Sequence, residues 1–274
     1  MNLKPIVLPN DYNYIACFLT LICNQKCDYC LNDFGSADRI AQPFLSGEKF
    51  VNALNRINCK DDIPITLQGG EPSLHPEFLW IINNLKPNLH IDILTNLNFN
   101  VNDFISNIPP ERLNRKAPYA NIRASYHPDG PSSADEFMSK ILILQKAGFS
   151  VGGYGIKHPL WENHMLNVQK KCEEKGIDFR LKEFLGLYNG NLYGTYHYPG
   201  AVGGKITKPC KCRTSELIIG PNCNVYRCHH DLYKDFPPIG NLLDPYFQIK
   251  DLFRFCDQFG DCNPCDIKLK TNRF

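Results

Sequence analysis

Cys23-Asn24-Gln25-Lys26-Cys27-Asp28-Tyr29-Cys30 follows directly on the first strand-like run of the chain, Tyr14–Leu21. Three thiols in a C-x3-C-x2-C spacing can converge on one metal centre, and thiolate is the form that iron–sulfur clusters take as ligand. A closed four-iron cluster wants four cysteines, and this loop supplies three. One iron would stay open, which by analogy with zinc marks a catalytic rather than a structural site. A three-cysteine zinc knuckle is the alternative reading of the loop alone.

Outward from the loop, short β-type runs alternate with amphipathic stretches. Strands are expected at Tyr14–Leu21, Pro64–Gln68, His90–Thr95, Asn121–Tyr126, Ser150–Ile156 and Asp178–Phe184. Between them, one helix is expected from Ser46 as N-cap with Phe50, Leu54 and Ile57 on one face, and another from Pro76, a residue suited to a first turn. A third opens on Ser133-x-x-Glu136, a capping-box pattern, with Phe137, Ile141 and Leu144 on one face. A fourth carries Met165, Val168 and Cys172 at helical spacing, and a further helix is placed near Val101–Ile108. Such β-then-α alternation predicts a parallel sheet with right-handed crossovers. Six units in roughly 180 residues fall short of a complete eight-fold barrel, which typically takes ~250. The expected fold is therefore α/β: a partial (β/α)6 TIM-type barrel over residues 1–204, including a Gly- and Tyr-rich connection at Gly186–Gly204. A small cysteine-rich α+β module over 205–274 follows it.

The second strand ends in Gln68-Gly69-Gly70-Glu71-Pro72. Glycines let a backbone approach closely, and Pro72 pushes Glu71 towards an extended conformation in which its carboxylate can accept from an ammonium. Together, C-x3-C-x-aromatic-C (with Tyr29 at the aromatic position) and GGEP one β-α unit later resemble the signature of the radical S-adenosylmethionine (SAM) superfamily. The resemblance implies a [4Fe-4S] cluster on Cys23, Cys27 and Cys30 whose open iron is chelated by SAM. Gly69, Gly70, Glu71 and Pro72 would grip the methionine end of SAM. It further implies reductive cleavage to a 5′-deoxyadenosyl radical that abstracts hydrogen from a substrate. Ser125 matches a position that contacts SAM in relatives, and Thr95-Asn96 one that faces substrate. Arg123, which shares a face with Ser125, and the following His127 are weighed against ordinary loop roles. Gly152-Gly153-Tyr154-Gly155 reads either as lining of an adenosine pocket or as a bulge. Lys182 and Glu183 read as a solvated or paired face, with reach to substrate as the alternative.

Thirteen cysteines in 274 residues are an odd count for a disulfide scaffold, and seven of them (210, 212, 223, 228, 256, 262 and 265) lie in the last segment. Cys212 through Cys228 resembles the start of the SPASM and twitch modules of some radical SAM proteins, with Cys223 where a turn glycine usually sits. Ile239-Gly240-Asn241-Leu242 also fits. The resemblance implies one auxiliary [4Fe-4S] cluster on Cys212, Cys228, Cys262 and Cys265, with Cys210 competing for the place of Cys212. Structural zinc is the alternative. Cys223 and Cys256 read as redox partners or buried residues, and Cys17 and Cys172 as core residues. Cys59 is given no role. His229-His230 reads as a surface pair or as a donor to a cluster sulfur.

Thirty basic against 28 acidic residues give a formal charge of +2, no broad footprint for nucleic acid or anionic membrane. The opening MNLKPIVLPNDYN resembles no signal peptide, and no apolar run approaches the ~18 residues of a membrane span, so a cytoplasmic protein is expected. The expected substrate is a small sugar- or aminocyclitol-like molecule, with a ribosomally made peptide as alternative and a flavodoxin- or ferredoxin-type protein as reductant. A non-catalytic electron-transfer or zinc-binding protein is the reading from another class.

Overall fold

The computed structural model describes residues 4–30, 43–59, 62–195 and 208–259. A short strand β1 (Ile6–Val7) precedes the first long strand, β2 (Tyr14–Thr20). Then follow α1 (Gly47–Leu54), β3 (Ile57–Asn58), β4 (Ile65–Gly69), α2 (Phe78–Asn84), β5 (Ile91–Thr95), α3 (Val101–Asn107) and β6 (Ile122–Ser125). The repeat continues through α4 (Ala134–Lys146), β7 (Val151–Lys157), α5 (Glu162–Glu174) and β8 (Phe179–Glu183). β2, β4, β5, β6, β7 and β8 pair in that order, every pair parallel. These are the six strands expected from the sequence, each within a residue or two of its expected ends.

Helix ends follow the side chains available to satisfy them. Ser133 accepts from the Glu136 backbone N–H at 3.2 Å, capping α4, while the Glu136 carboxylate pairs forward with Lys140. Asn100 caps α3 by accepting from the N–H groups of Asn102 and Asp103. Two helix boundaries differ from expectation. Pro76 lies in the turn before α2, because Pro72–Leu74, capped by Glu71, first form a separate single 3-10 turn. Ile57 is not on α1; it lies in β3, paired with Ile6 of β1.

The sheet does not close on itself. On its other side β2 pairs with β12 (Glu216–Ile219), from the C-terminal part of the chain, in parallel. β13 (Asn224–Tyr226) and β14 (Gly240–Asn241) extend that edge antiparallel. The C-terminal segment is thus continuous with the barrel sheet, while the expected boundary at 204 falls among residues outside those described. Between these parts the expected irregular connection contains a hairpin, β9 (Gly186–Tyr188) with β10 (Asn191–Tyr193).

Alternation along β2 separates two cores, since successive strand residues face opposite sides. Ile15, Cys17 and Leu19 pack into the layer with the helices, and Cys172 of α5 is buried there too, as expected of core cysteines. Ala16 and Phe18 point the other way, against Ile218, Tyr226, Leu232 and Tyr233. The short helix α6 (His229–Tyr233) therefore covers the inner face of β2. His229 and His230 are buried, not a surface pair, and His229 Nδ1 lies 3.4 Å from the Glu216 carboxylate. Arg56 adds a second tie to the C-terminal segment, donating to the carbonyls of Leu242, Asp244 and Pro245. At the β12–β13 turn Cys223 has φ +61°, the left-handed conformation that favours glycine, which matches its place in the pattern.

Candidate functional site

Because the strands are parallel, their C-terminal ends share one side of the sheet, and there they enclose a cavity of about 680 Å3. Cys23, Cys27 and Cys30 line it from the loop after β2, Gly69, Gly70 and Glu71 from the end of β4, and Arg123 and Ser125 from β6. That volume is within the range of small-molecule and cofactor sites.

The two glycines are demanded by the main chain of the neighbouring strand. A Cβ on Gly69 would overlap the Thr20 carbonyl, and one on Gly70 the Ile22 carbonyl. With no side chain between them, Gly70 N–H donates to Thr20 O at 3.0 Å and Glu71 N–H to Ile22 O at 2.8 Å. The GGEP turn is thereby laced to the point where the cysteine loop departs. Glu71 is extended at φ −124°, ψ 113°, as the following proline requires.

Glu71 is buried, and its carboxylate is already engaged. Oε1 accepts from Ser73 N–H, Ser73 Oγ and Thr95 Oγ at 3.1, 2.6 and 2.8 Å, and Oε2 accepts from Asn96 N–H at 2.7 Å. Burial pushes its pKa up and these donors pull it back. Its visible work is to lock the ends of β4 and β5 together. Thr95-Asn96, expected to face substrate, turns partly inward to make that lock, and Asn96 Nδ2 also donates to Asn24 Oδ1 of the cysteine loop at 2.7 Å.

Around the cysteines the chain supplies an aromatic and polar shell. His127 Nδ1 is 3.4 Å from Cys27 Sγ and 3.1 Å from the Tyr29 hydroxyl, which also donates to Asp129 at 3.1 Å. The Tyr29 ring stacks on His127 and tilts against His158, with centroids 5.9 and 5.5 Å apart. Burial, with Asp129 adding, pushes the Cys27 thiol up to about 12, and burial likewise raises Cys23. Because thiolate is the ligand form, metal binding at this loop releases protons.

One functional feature was not legible from spacing. Asp92 of β5 is fully buried and accepts from Arg115 Nε and Nη2 at 3.0 and 2.9 Å, from Asn121 at 3.3 Å and from Arg123 Nη2 at 3.4 Å. Both guanidinium groups lie over the Tyr119 ring, at 5.3 and 5.1 Å. This holds Arg123 on the cavity wall. The alternating Ile-Asp-Ile of β5 resembles a solvated strand face, and only the chemistry of Arg115, far along the chain, identifies it otherwise. His158, which bridges Tyr29 to Phe184 and Tyr188, was missed for the same reason.

Other candidates divide. Lys182 lines the cavity with its ammonium 5.3 Å from the Tyr154 ring centroid, while Glu183 accepts from Thr195 and is occupied. Gly153 and Gly155 leave room for Phe179 and Met165, so they serve packing, although Gly155 also borders the cavity. Cys59 is half-buried with its thiol raised to about 11 by burial. At the C-terminus, Cys212 stands beside Cys210 and Cys256, and Cys228 caps the start of α6. Cys262 and Cys265 lie outside the described residues.

No protein-family model matches the chain. Over 74 residues it is 30% identical to the GTP 3′,8-cyclase of Actinobacillus succinogenes, which covers 27% of this chain and 22% of that one. Over 71 residues it is 35% identical to the GTP 3′,8-cyclase of Shewanella denitrificans, 26% of this chain and 21% of the relative. These matches span about a fifth of the curated relatives. Among solved structures, Streptococcus suis SuiB bound to its precursor peptide SuiA superposes with a TM-score of 0.56 at 12% identity, over 91% of this chain and 64% of that one. anSMEcpe with bound AdoMet and the Kp18Cys peptide gives 0.55 at 15% identity, over 88% and 78%. At such identities the likeness is one of fold, a partial barrel of parallel strands with helices between them. The cysteine loop and the GGEP turn, the two runs on which the sequence resembles the radical SAM superfamily, thus meet on a fold that these neighbours share. Among the described residues no helix is long and apolar enough to cross a membrane.

Proposed function

We propose that the cavity at the C-terminal ends of the sheet binds SAM and a [4Fe-4S] cluster, and that the chain cleaves SAM reductively to start hydrogen abstraction from a peptide. The observation that carries this reading is the meeting of three thiols, the GGEP turn and Ser125 in one cavity of about 680 Å3. The donor set fits the group: Cys23, Cys27 and Cys30 line the cavity and would supply three soft thiolate ligands to the cluster, one fewer than its four irons. When bound, the cluster supplies the electron that breaks the SAM sulfonium and yields the 5′-deoxyadenosyl radical.

The chain's own residues do the positioning. Gly69 and Gly70 bring the β4 main chain up to the cysteine loop, and Pro72 and Glu71 hold that turn. Tyr29 braces the loop through His127 and Asp129. Arg123, fixed by Asp92, offers a cation suited to the SAM carboxylate, and Ser125 a hydroxyl beside it. Leu94, Tyr154 and Ile156 line the cavity with apolar surface that excludes water.

For the substrate, the structural neighbours that hold peptides favour the peptide alternative over the sugar- or aminocyclitol-like molecule. The β9–β10 hairpin adds to this. Through Tyr188 and His158 it adjoins the cysteine loop, and it exposes Leu187 and Leu192. An auxiliary [4Fe-4S] cluster on the C-terminal cysteines, a flavodoxin- or ferredoxin-type reductant and a cytoplasmic location complete the reading.

Anaerobic reconstitution followed by addition of SAM and dithionite tests it. About eight irons per chain, four for each cluster, with release of 5′-deoxyadenosine are expected. Iron bound without any SAM cleavage would favour a redox or structural protein instead.

A further inference from the structure

The C-terminal cysteines are sorted by strand geometry rather than by spacing along the chain. β11 (Lys208–Cys212) carries Cys210 and Cys212 two residues apart, so period-two alternation puts both on one face. β15 (Arg254–Phe259) runs antiparallel to it with Cys256 directly opposite Cys210. Cys210 Sγ and Cys212 Sγ are 3.4 Å apart, and all three thiol sulfurs lie within 4.8 Å of one another. Cys256 is buried, while its neighbour Phe255 is exposed on the opposite face.

The segment that carries Cys228 is tied to β15. Arg227, next in sequence to Cys228, donates from Nη1 to the carbonyl of Phe255 at 2.7 Å, and its Nε and Nη2 grip Asp231. Cys228 and Cys256 are thus the chain neighbours of two residues, Arg227 and Phe255, that one hydrogen bond joins.

We infer that Cys210, Cys212 and Cys256, with Cys228 as fourth ligand, hold the auxiliary metal centre, in place of a set drawing on Cys262 and Cys265. The inference rests on the reading that the C-terminal cysteines carry an auxiliary iron–sulfur cluster, and it names the ligands. A disulfide between Cys210 and Cys256 would strand Cys212 against them; a metal uses all three. The same centre has a structural consequence. β11 and β15 form a sheet of their own, and an isolated two-stranded sheet is marginal in water. Metal across the pair staples the C-terminal strand to β11, so the order of residues 254–259 depends on the metal.

The test compares full-length, anaerobically reconstituted wild type with Cys256→Ser and with a Cys262→Ser/Cys265→Ser double variant. The readouts are iron, sulfide and zinc per chain, together with hydrogen exchange of residues 208–212 and 254–259. Cys256→Ser is expected to lose about half the iron, the four of one [4Fe-4S] cluster, and to lose protection in both strands. The double variant is expected to keep both. Retention of the N-terminal four irons shows that the variant still folds, and Cys210→Ser gives the same comparison should Cys256→Ser prove insoluble. Loss of the centre in the double variant but not in Cys256→Ser overturns the ligand assignment and leaves the auxiliary cluster standing. Zinc lost with Cys256→Ser supports the ligands and overturns the iron–sulfur reading. A wild type with only the N-terminal irons and no zinc, or with a Cys210–Cys256 disulfide, overturns both.

Discussion

Cys23, Cys27 and Cys30 stand on a loop at the mouth of a cavity, whereas Cys210, Cys212 and Cys256 stand on two paired strands. The loop set is braced indirectly, by Asn96 through Asn24 and by Tyr29 through His127 and Asp129. The ladder set is fixed by register. A loop can leave one coordination position facing a cavity for a reacting molecule, while a ladder surrounds its metal with protein and binds two strands together. On the reading proposed above, one chain uses the same ligand type twice, for chemistry in the loop set and for structure in the ladder set.

The comparison breaks most visibly at the loop. Cys27→Ala is expected to reduce 5′-deoxyadenosine formation to the level without protein while leaving the exchange protection of residues 208–212 and 254–259 intact. A simultaneous loss of that protection would mean that the two centres are coupled, contrary to the near-additivity of distant sites. Next in size is Asp92→Asn. It deprives the partly buried Arg115 and Arg123 of the fully buried carboxylate between them, Arg115 keeping the Asp62 carboxylate at 3.7 Å, so a loss of about 3 kcal/mol is expected in denaturant unfolding, with SAM binding weakened as Arg123 loses its anchor.

Gly70→Ala sharpens the account of the loop. The added methyl group meets the Ile22 carbonyl, forcing the GGEP turn off the cysteine loop at a cost of about 1–3 kcal/mol. Calorimetry should show weaker SAM binding together with the lower Tm. Ser133→Ala removes a cap remote from both centres. It is expected to cost about 1 kcal/mol in unfolding and to leave iron content and SAM binding unchanged.

Local pattern carried the barrel. Alternation and helical spacing located the six parallel strands, and the C-x3-C-x2-C and GGEP runs fell at strand ends because parallel strands must all end on one side. What local pattern could not carry was pairing between distant residues. Asp92 reads as a surface residue until Arg115 and Arg123 are seen upon it. His229 and His230 read as exposed until α6 is found covering Phe18. Cys256 lacks a neighbouring cysteine in sequence, and only the β11–β15 register brings it to Cys210. Glu71 was legible as a critical carboxylate, but its donors, Ser73, Thr95 and Asn96, come largely from the next strand end.

The most direct test of the central claim is electron paramagnetic resonance of the dithionite-reduced, reconstituted protein with and without SAM. The account predicts that SAM changes one iron–sulfur signal in the wild type, and that Cys27→Ala abolishes this SAM-responsive signal while retaining the other. A spectrum indifferent to SAM, or a SAM-induced change that survives in Cys27→Ala, would contradict it.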